Sequence, residues 1–197
     1  QERNFLGRGQ ALGLAISTAA TNKKLEFSFR EPAFLGRDLS AGIGLSYVSY
    51  TPDDVSFQAN TTSFSPSVRF PLTEYSALNL SYNLSTSNVA TGLTTSAFVS
   101  GVIKDEVAKG DVLNSSIGYT YTYDNRRKGL NTNSGALFQI GQEIGGFGGD
   151  NSFVKTSFKV IGQTTVMAEE VTLSATLEGG TMSFMKGSSR VNDRFSL

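Results

Sequence analysis

Lys104, Asp105, Glu106, Lys109 and Asp111 crowd charges of both signs into one short segment. Their carboxylates are oxygen ligands of the type divalent cations take, but the spacing is not that of a calcium loop. The segment therefore reads as a solvated loop, with at most a helical turn around Val102, Ile103 and Val107. A second stretch with chemical potential is Gly145-Gly146-Phe147-Gly148-Gly149. A phosphate cradle needs a helix N-terminus behind its glycines, and no helical pattern follows Gly149, so a mobile outer loop is expected. The third is Arg126-Arg127-Lys128, a cationic turn that suits either solvent or a docking partner.

What catalysis commonly uses is otherwise missing. The 197 residues include no His and no Cys. That removes the Ser-His-Asp triad, the imidazole base, the thiolate nucleophile, the disulfide framework and the usual Cys/His zinc site. No catalytic, cofactor-binding or metal-ligating residue is predicted, and the chain is expected not to be an enzyme. Lys and Arg number 17 against 17 Asp and Glu, and the pI is near 6.5. A nucleic-acid partner would need a basic surface, so none is expected.

The elements that must carry these residues are strands. No run approaches the roughly 18 apolar residues of a membrane-spanning helix. Charged residues make up 17% of the chain, below the roughly 25% of soluble domains, so something other than charge covers its surface. Apolar residues recur at every second position, the period of a strand with two unlike faces. Leu12, Leu14 and Ile16 open the series, followed by Leu25, Phe27 and Phe29, and then by Leu39, Ala41, Ile43, Leu45 and Tyr47. Phe64, Val68, Phe70 and Leu72 continue it, with Leu78, Leu80, Tyr82 and Leu84 next. After a polar interruption come Ile117, Tyr119, Tyr121 and Tyr123; Ala136, Phe138, Ile140 and Ile144; Val154, Thr156, Phe158 and Val160; and Val171, Leu173, Ala175 and Leu177. The pattern predicts about nine strands and no helix. Charges, which did not set the phase, test it: Glu26, Arg30, Arg69, Glu143, Lys155, Lys159 and Glu178 all fall on the polar side.

Connections alternate in length. Asn4 to Gly9, Glu31 to Asp38, Pro71 to Tyr75 and Thr164 to Glu170 are short, with Asp124 to Gly135 somewhat longer. Between them lie Tyr50 to Thr62, Ser85 to Asn114, Gly145 to Ser152 and Gly179 onward, with Thr21 to Lys24 the tight exception. Turns at one end and loops at the other, joined by strands of roughly ten residues, are the pattern of an outer-membrane β-barrel. Periodicity alone does not separate this from a soluble sandwich. Two features favour lipid. The polar faces are mostly Ser, Thr, Gly, Asn and Gln, which suits a lumen better than a solubilising surface. Aromatics also gather near strand ends: Phe29, Phe34, Phe70, Tyr75, Tyr121 and Tyr123 beside the turns, and Tyr47, Phe64 and Phe153 nearer the loops.

The turns themselves resemble a family. Phe-Leu-Gly-Arg stands within Asn4-Phe5-Leu6-Gly7-Arg8-Gly9 and again within Glu31-Pro32-Ala33-Phe34-Leu35-Gly36-Arg37-Asp38. Phe70-Pro71-Leu72-Thr73-Glu74-Tyr75, Tyr123-Asp124-Asn125 with Gly135, and Asn192-Asp193-Arg194-Phe195-Ser196-Leu197 follow. In that order the chain resembles, over essentially its whole length, the barrel of the BamA family of outer-membrane protein assembly factors.

The resemblance implies an all-β fold: an antiparallel transmembrane barrel, of which residues 1–197 are an incomplete excerpt of sixteen strands, about the third to the eleventh. It further implies POTRA domains outside this chain, and a lateral gate and loop-six Arg-Gly-Phe motif beyond it. An odd excerpt with two unpaired edges is not expected to be stable alone. The chain also lacks the family's usual proline between Arg126 and Ser134. The implied function is folding and inserting β-barrel proteins into the bacterial outer membrane. Nascent barrel proteins, periplasmic accessory lipoproteins and outer-membrane lipid are the implied partners. Alternatives are a translocation or secretion barrel of the same superfamily and a passive porin-like channel. Asp193, Arg194 and Phe195 match the lead-in to loop six. Arg30, Arg69, Lys155, Lys159 and Glu178 are candidate lumen charges that pair across the interior or meet the plugging loop. Arg126, Arg127 and Lys128 are the candidate periplasmic contact.

Overall fold

The computed structural model describes residues 2–5, 7–51, 57–91, 107–108, 110–126, 134–166 and 171–186. Among these, ten strands form a single antiparallel sheet in which each strand pairs with its neighbours in chain order. They are β1 (Glu2–Phe5), β2 (Gln10–Thr18), β3 (Asn22–Glu31), β4 (Ser40–Tyr50), β5 (Phe57–Pro71), β6 (Ser76–Thr91), β7 (Val112–Asp124), β8 (Gly135–Gly145), β9 (Ser152–Val166) and β10 (Val171–Lys186). The sequence predicts nine of them, but it expects a loop from Gly179 where β10 runs on to Lys186, because pairing with β9 carries the strand through Gly179 and Gly180. The sequence also misses β1, whose four residues are too few for a period of two to show. Of the charged segment before β7, Val107 and Ala108 are helical; residues 102–106 and 109 lie outside the described residues.

Register decides which side chains share a face. Glu26 stands opposite Ser46, Arg30 opposite Gly42, Arg69 opposite Asn79, Glu143 opposite Lys155, and Lys159 opposite Glu178. Because side chains alternate along a strand, these pairings and those of the intervening strands place all seven test charges on one face. The opposite face carries Leu14, Ile16, Leu25, Ile43, Leu45, Leu173 and Leu177, between 44% and 69% exposed. No second layer covers it: every described strand belongs to the one sheet. Such an apolar face is stable only against something outside the chain.

The stagger of the register supplies what periodicity could not. One row of paired residues runs Glu31, Ala41, Val68, Leu80, Tyr119, Gln142, Thr156, Thr181. Glu31 is the turn-end residue of β3, whereas Thr181 lies ten residues beyond Val171, the turn-end residue of β10. A climb of ten residues at about 3.3 Å each, over seven interstrand steps of about 4.8 Å, tilts the strands by about 45°. That is the tilt of transmembrane barrels, about 35–45°. The sheet is an open wall of such a barrel, with β1 and β10 at its edges.

Two local features hold the wall together. Pro66 interrupts β5, where the ladder to β6 skips from Phe64 to Ser67, since proline has no N–H to give. The Ser65 hydroxyl spans the gap by donating to Asn83 Oδ1 at 2.9 Å. The glycine-rich connection after β8 is pinned, not mobile as expected: Gly146 N–H donates to Ser115 O, Asp150 N–H to Leu113 O, and Leu113 N–H to Asp150 Oδ2. Gly149 approaches so closely that an added Cβ would stand 2.7 Å from the Leu113 carbonyl oxygen. The glycines admit a neighbouring backbone; they do not cradle a phosphate.

Candidate functional site: the polar wall and its rims

The polar face differs along its width because small residues cluster at one side. On β2 to β5 the side chains over the face are chiefly Gly13, Ser28, Gly44, Ser46, Ser63 and Ser65, which line a groove of about 510 Å³. Next to it, Arg30 borders a second hollow of about 330 Å³ floored by Gly42 and Gly44. Glycines facing inward leave room above the backbone, so a long arginine can lie across them. Arg30 and Arg69 have no ion-pair partner among the described residues; Lys24 and Glu26, toward the loop end, pair at 2.8 Å.

From β7 to β10 the charges are matched between neighbours. The Lys159 ammonium is bridged to Glu178, and Ser116 Oγ donates to Glu143 across from Lys155. The expected lumen charges thus lie on one wall. Among the described residues, the pairing seen is between adjacent strands, because cross-strand neighbours sit only about 5 Å apart. Above them, Phe153 packs on the polar side against Phe184, ring centroids 6.0 Å apart, not in an outward aromatic girdle. Gly145 makes space for that ring, since a Cβ there would fall 2.4 Å from it.

At the turn rim, Arg126 forms a two-point pair with Asp124: Nε donates to Oδ1 at 2.8 Å and Nη2 to Oδ2 at 3.0 Å. Those bonds, then the coulombic pull of the same carboxylate, raise the Arg126 pKa above its ordinary value despite partial desolvation. Asn125 Oδ1 accepts from Ala136 N–H at 2.7 Å, closing the turn from β7 into β8. Arg126 is therefore occupied in holding this turn. Arg127, Lys128, Asp193, Arg194 and Phe195 lie outside the described residues. Tyr75 meets Tyr123 edge-on at 6.4 Å on the apolar side of the same rim, as a girdle requires.

Hydrogen-bonded polar groups on the apolar face are not among the features the sequence leads one to expect. Tyr47, Asn60, Gln58 and Ser49 form one such group at the loop end of β4 and β5. On the apolar face, Tyr119 donates to Gln142 Oε1 at 3.0 Å, and Gln142 Nε2 donates to Thr156 Oγ1 at 3.3 Å. Tyr82 and Ser115 share a further hydrogen bond of 2.9 Å. The signal was available: Gln142 interrupts the apolar series between Ile140 and Ile144. Among the described residues no group of three His, Cys, Asp or Glu side chains converges to hold a metal ion.

Comparison with known proteins gives the same picture. The model of the Omp85 superfamily domain matches residues 4–197. No curated protein matches the sequence. Among solved structures, the crystal structure of BamA from Haemophilus ducreyi lacking POTRA domains 1–3 superposes with a TM-score of 0.73 at 16% sequence identity. The match covers 93% of this chain and 37% of that one, so this chain spans little more than a third of the length of that shortened BamA.

Proposed function

The chain belongs to the Omp85 superfamily, and on that premise we propose that it forms one wall of a bacterial outer-membrane barrel that folds and inserts other β-barrel proteins. The observation that carries this reading is the match to that family along almost the whole chain, in a tilted sheet with an uncovered apolar face and a polar wall. In lipid an unpaired backbone N–H or C=O is costly, so a client strand must find a pairing partner before it enters. A barrel seam that opens offers such an edge by β-augmentation. In this reading the seam, the POTRA domains and the loop whose lead-in is Asp193, Arg194 and Phe195 belong to the longer protein. Periplasmic accessory lipoproteins meet its turn rim, Arg127 and Lys128 included, and the chain itself does no catalysis.

Depletion of the full protein in its host tests this. Many outer-membrane barrel proteins should fall together, while inner-membrane and periplasmic proteins hold. Loss of a single secreted or assembled client would instead support a translocation barrel of the same superfamily. Steady ion conductance after reconstitution, with no effect on insertion of other barrels, would support a passive channel.

A further inference from the structure

Leu35 has φ 56° and ψ 27°, and it is the one non-glycine residue with positive φ among the described residues. An L-residue is disfavoured there by its Cβ, and such strain persists where something else fixes it. Elsewhere in these turns the positive φ values among the described residues fall on glycines: Gly36 beside Leu35, and Gly7 and Gly9 between β1 and β2. A glycine at position 35 would relieve the backbone, and packing does not explain the leucine, because its side chain is 80% exposed.

The surroundings say what it meets. Phe34 and Phe5 are also exposed, at 39% and 37%. The two turns lie side by side, Pro32 Cγ standing 3.6 Å from where a Cβ on Gly9 would be. Phe5 pairs with Gln10, on the β2 phase of Leu12 and Leu14, so this corner adjoins the uncovered apolar face, on which Ile43 of β4 is 44% exposed. Arg8 and Arg37 are exposed beside them, with Asp38, and neither arginine has a side-chain partner among the described residues.

We propose that the paired Phe-Leu-Gly-Arg turns form a lipid-interface anchor: Leu35, with Phe34 and Phe5, enters the boundary between headgroups and acyl chains, and Arg8 and Arg37 face lipid phosphates. Apolar tips with flanking cations are what an interfacial segment needs, and continuity with the hydrocarbon-facing side selects lipid over a protein partner. The proposal rests on the barrel reading.

The test places a nitroxide at Leu35→Cys in the full-length protein, reconstituted in vesicles of phosphatidylethanolamine and phosphatidylglycerol. Leu14→Cys reports hydrocarbon and Asp150→Cys reports water. Accessibility to oxygen and to a water-soluble nickel chelate is then measured at each. The Leu35 label should favour oxygen, with nickel accessibility several-fold below that of Asp150 and depth short of Leu14. Replacing Arg8 and Arg37 together by Ser should raise its nickel accessibility about twofold; no change would overturn the role given to the arginines. Water-like accessibility at Leu35 overturns the anchor, and protection from both reagents overturns it in favour of a covering protein. If Leu14 itself is water-like, the barrel reading fails with it.

Discussion

The two sides of the sheet solve the same alternation differently. From β2 to β5 the middle of the apolar face carries only apolar side chains, with hydrogen-bonded polar groups at its ends: Gln10 with Glu31, and Tyr47, Asn60, Gln58 and Ser49. The polar face there is mostly glycine and serine, with the Lys24–Glu26 pair and two arginines free of ion pairs. From β7 to β10 the apolar face carries a hydrogen-bonded Tyr119–Gln142–Thr156 chain, while the polar face pairs Lys159 with Glu178. Polar groups facing hydrocarbon are tolerable when they satisfy one another. Charges facing water need no such partner, so Arg30 and Arg69 can wait for one on another segment. Among the described residues, the first region thus carries two cations without a carboxylate, whereas in the second Lys159 has its partner within the sheet.

The contrast can be broken most sharply on the apolar face. Leu14→Arg should destabilise the reconstituted full-length protein by about 2–4 kcal/mol if position 14 lies near the bilayer centre. Ser28→Arg, on the polar face of the adjoining strand, should cost less than about 1 kcal/mol because the charge stays in water. Urea titration of the folded fraction in vesicles measures both, and equal costs would erase the distinction between the faces.

A smaller loss is expected at the rim of the second region. Arg126→Ala removes a two-point charged contact and leaves Asp124 without its guanidinium, at about 1–2 kcal/mol. Because strands β7 and β8 depend on that turn, limited proteolysis should begin between residues 127 and 133. Arg126→Lys should restore only part of the resistance, since a point charge cannot reproduce the fork.

Within the hydrocarbon-facing chain, Tyr119→Phe should cost about 1 kcal/mol by stranding Gln142 Oε1. Replacing Tyr119, Gln142 and Thr156 together by Phe, Leu and Val should be neutral or stabilising. A triple variant weaker than the single one would mean that this side is not in lipid. Least of all, Lys159→Ala should cost under about 1 kcal/mol and lose its effect in high salt, as expected of an exposed pair.

Much of this was legible residue by residue. Leu25, Phe27 and Phe29 against Glu26, Ser28 and Arg30 specify a two-faced strand without help, and the seven charges confirm its phase. The repeated Phe-Leu-Gly-Arg turns and the alternation of turns and loops order the strands as neighbours. β1 was not legible, because its pairing to β2 carries information that four residues lack. The glycines at 145–149 suggest a mobile loop in sequence because the groups they make space for, Phe153 and the β7 backbone, come from other strands. Arg126 looked free in sequence because its partner, Asp124, is brought into line only by the turn.

By itself the sequence determined nine of the ten described strands and which side chains share a face, since alternation is a property of a single chain. Tertiary structure alone decided the climb of ten residues across the wall, the pairing of Lys159 with Glu178 and the satisfaction of Gln142. Those depend on register, a relation between strands. A shift of two residues would keep every side chain on its proper face yet change every partner and the barrel's tilt.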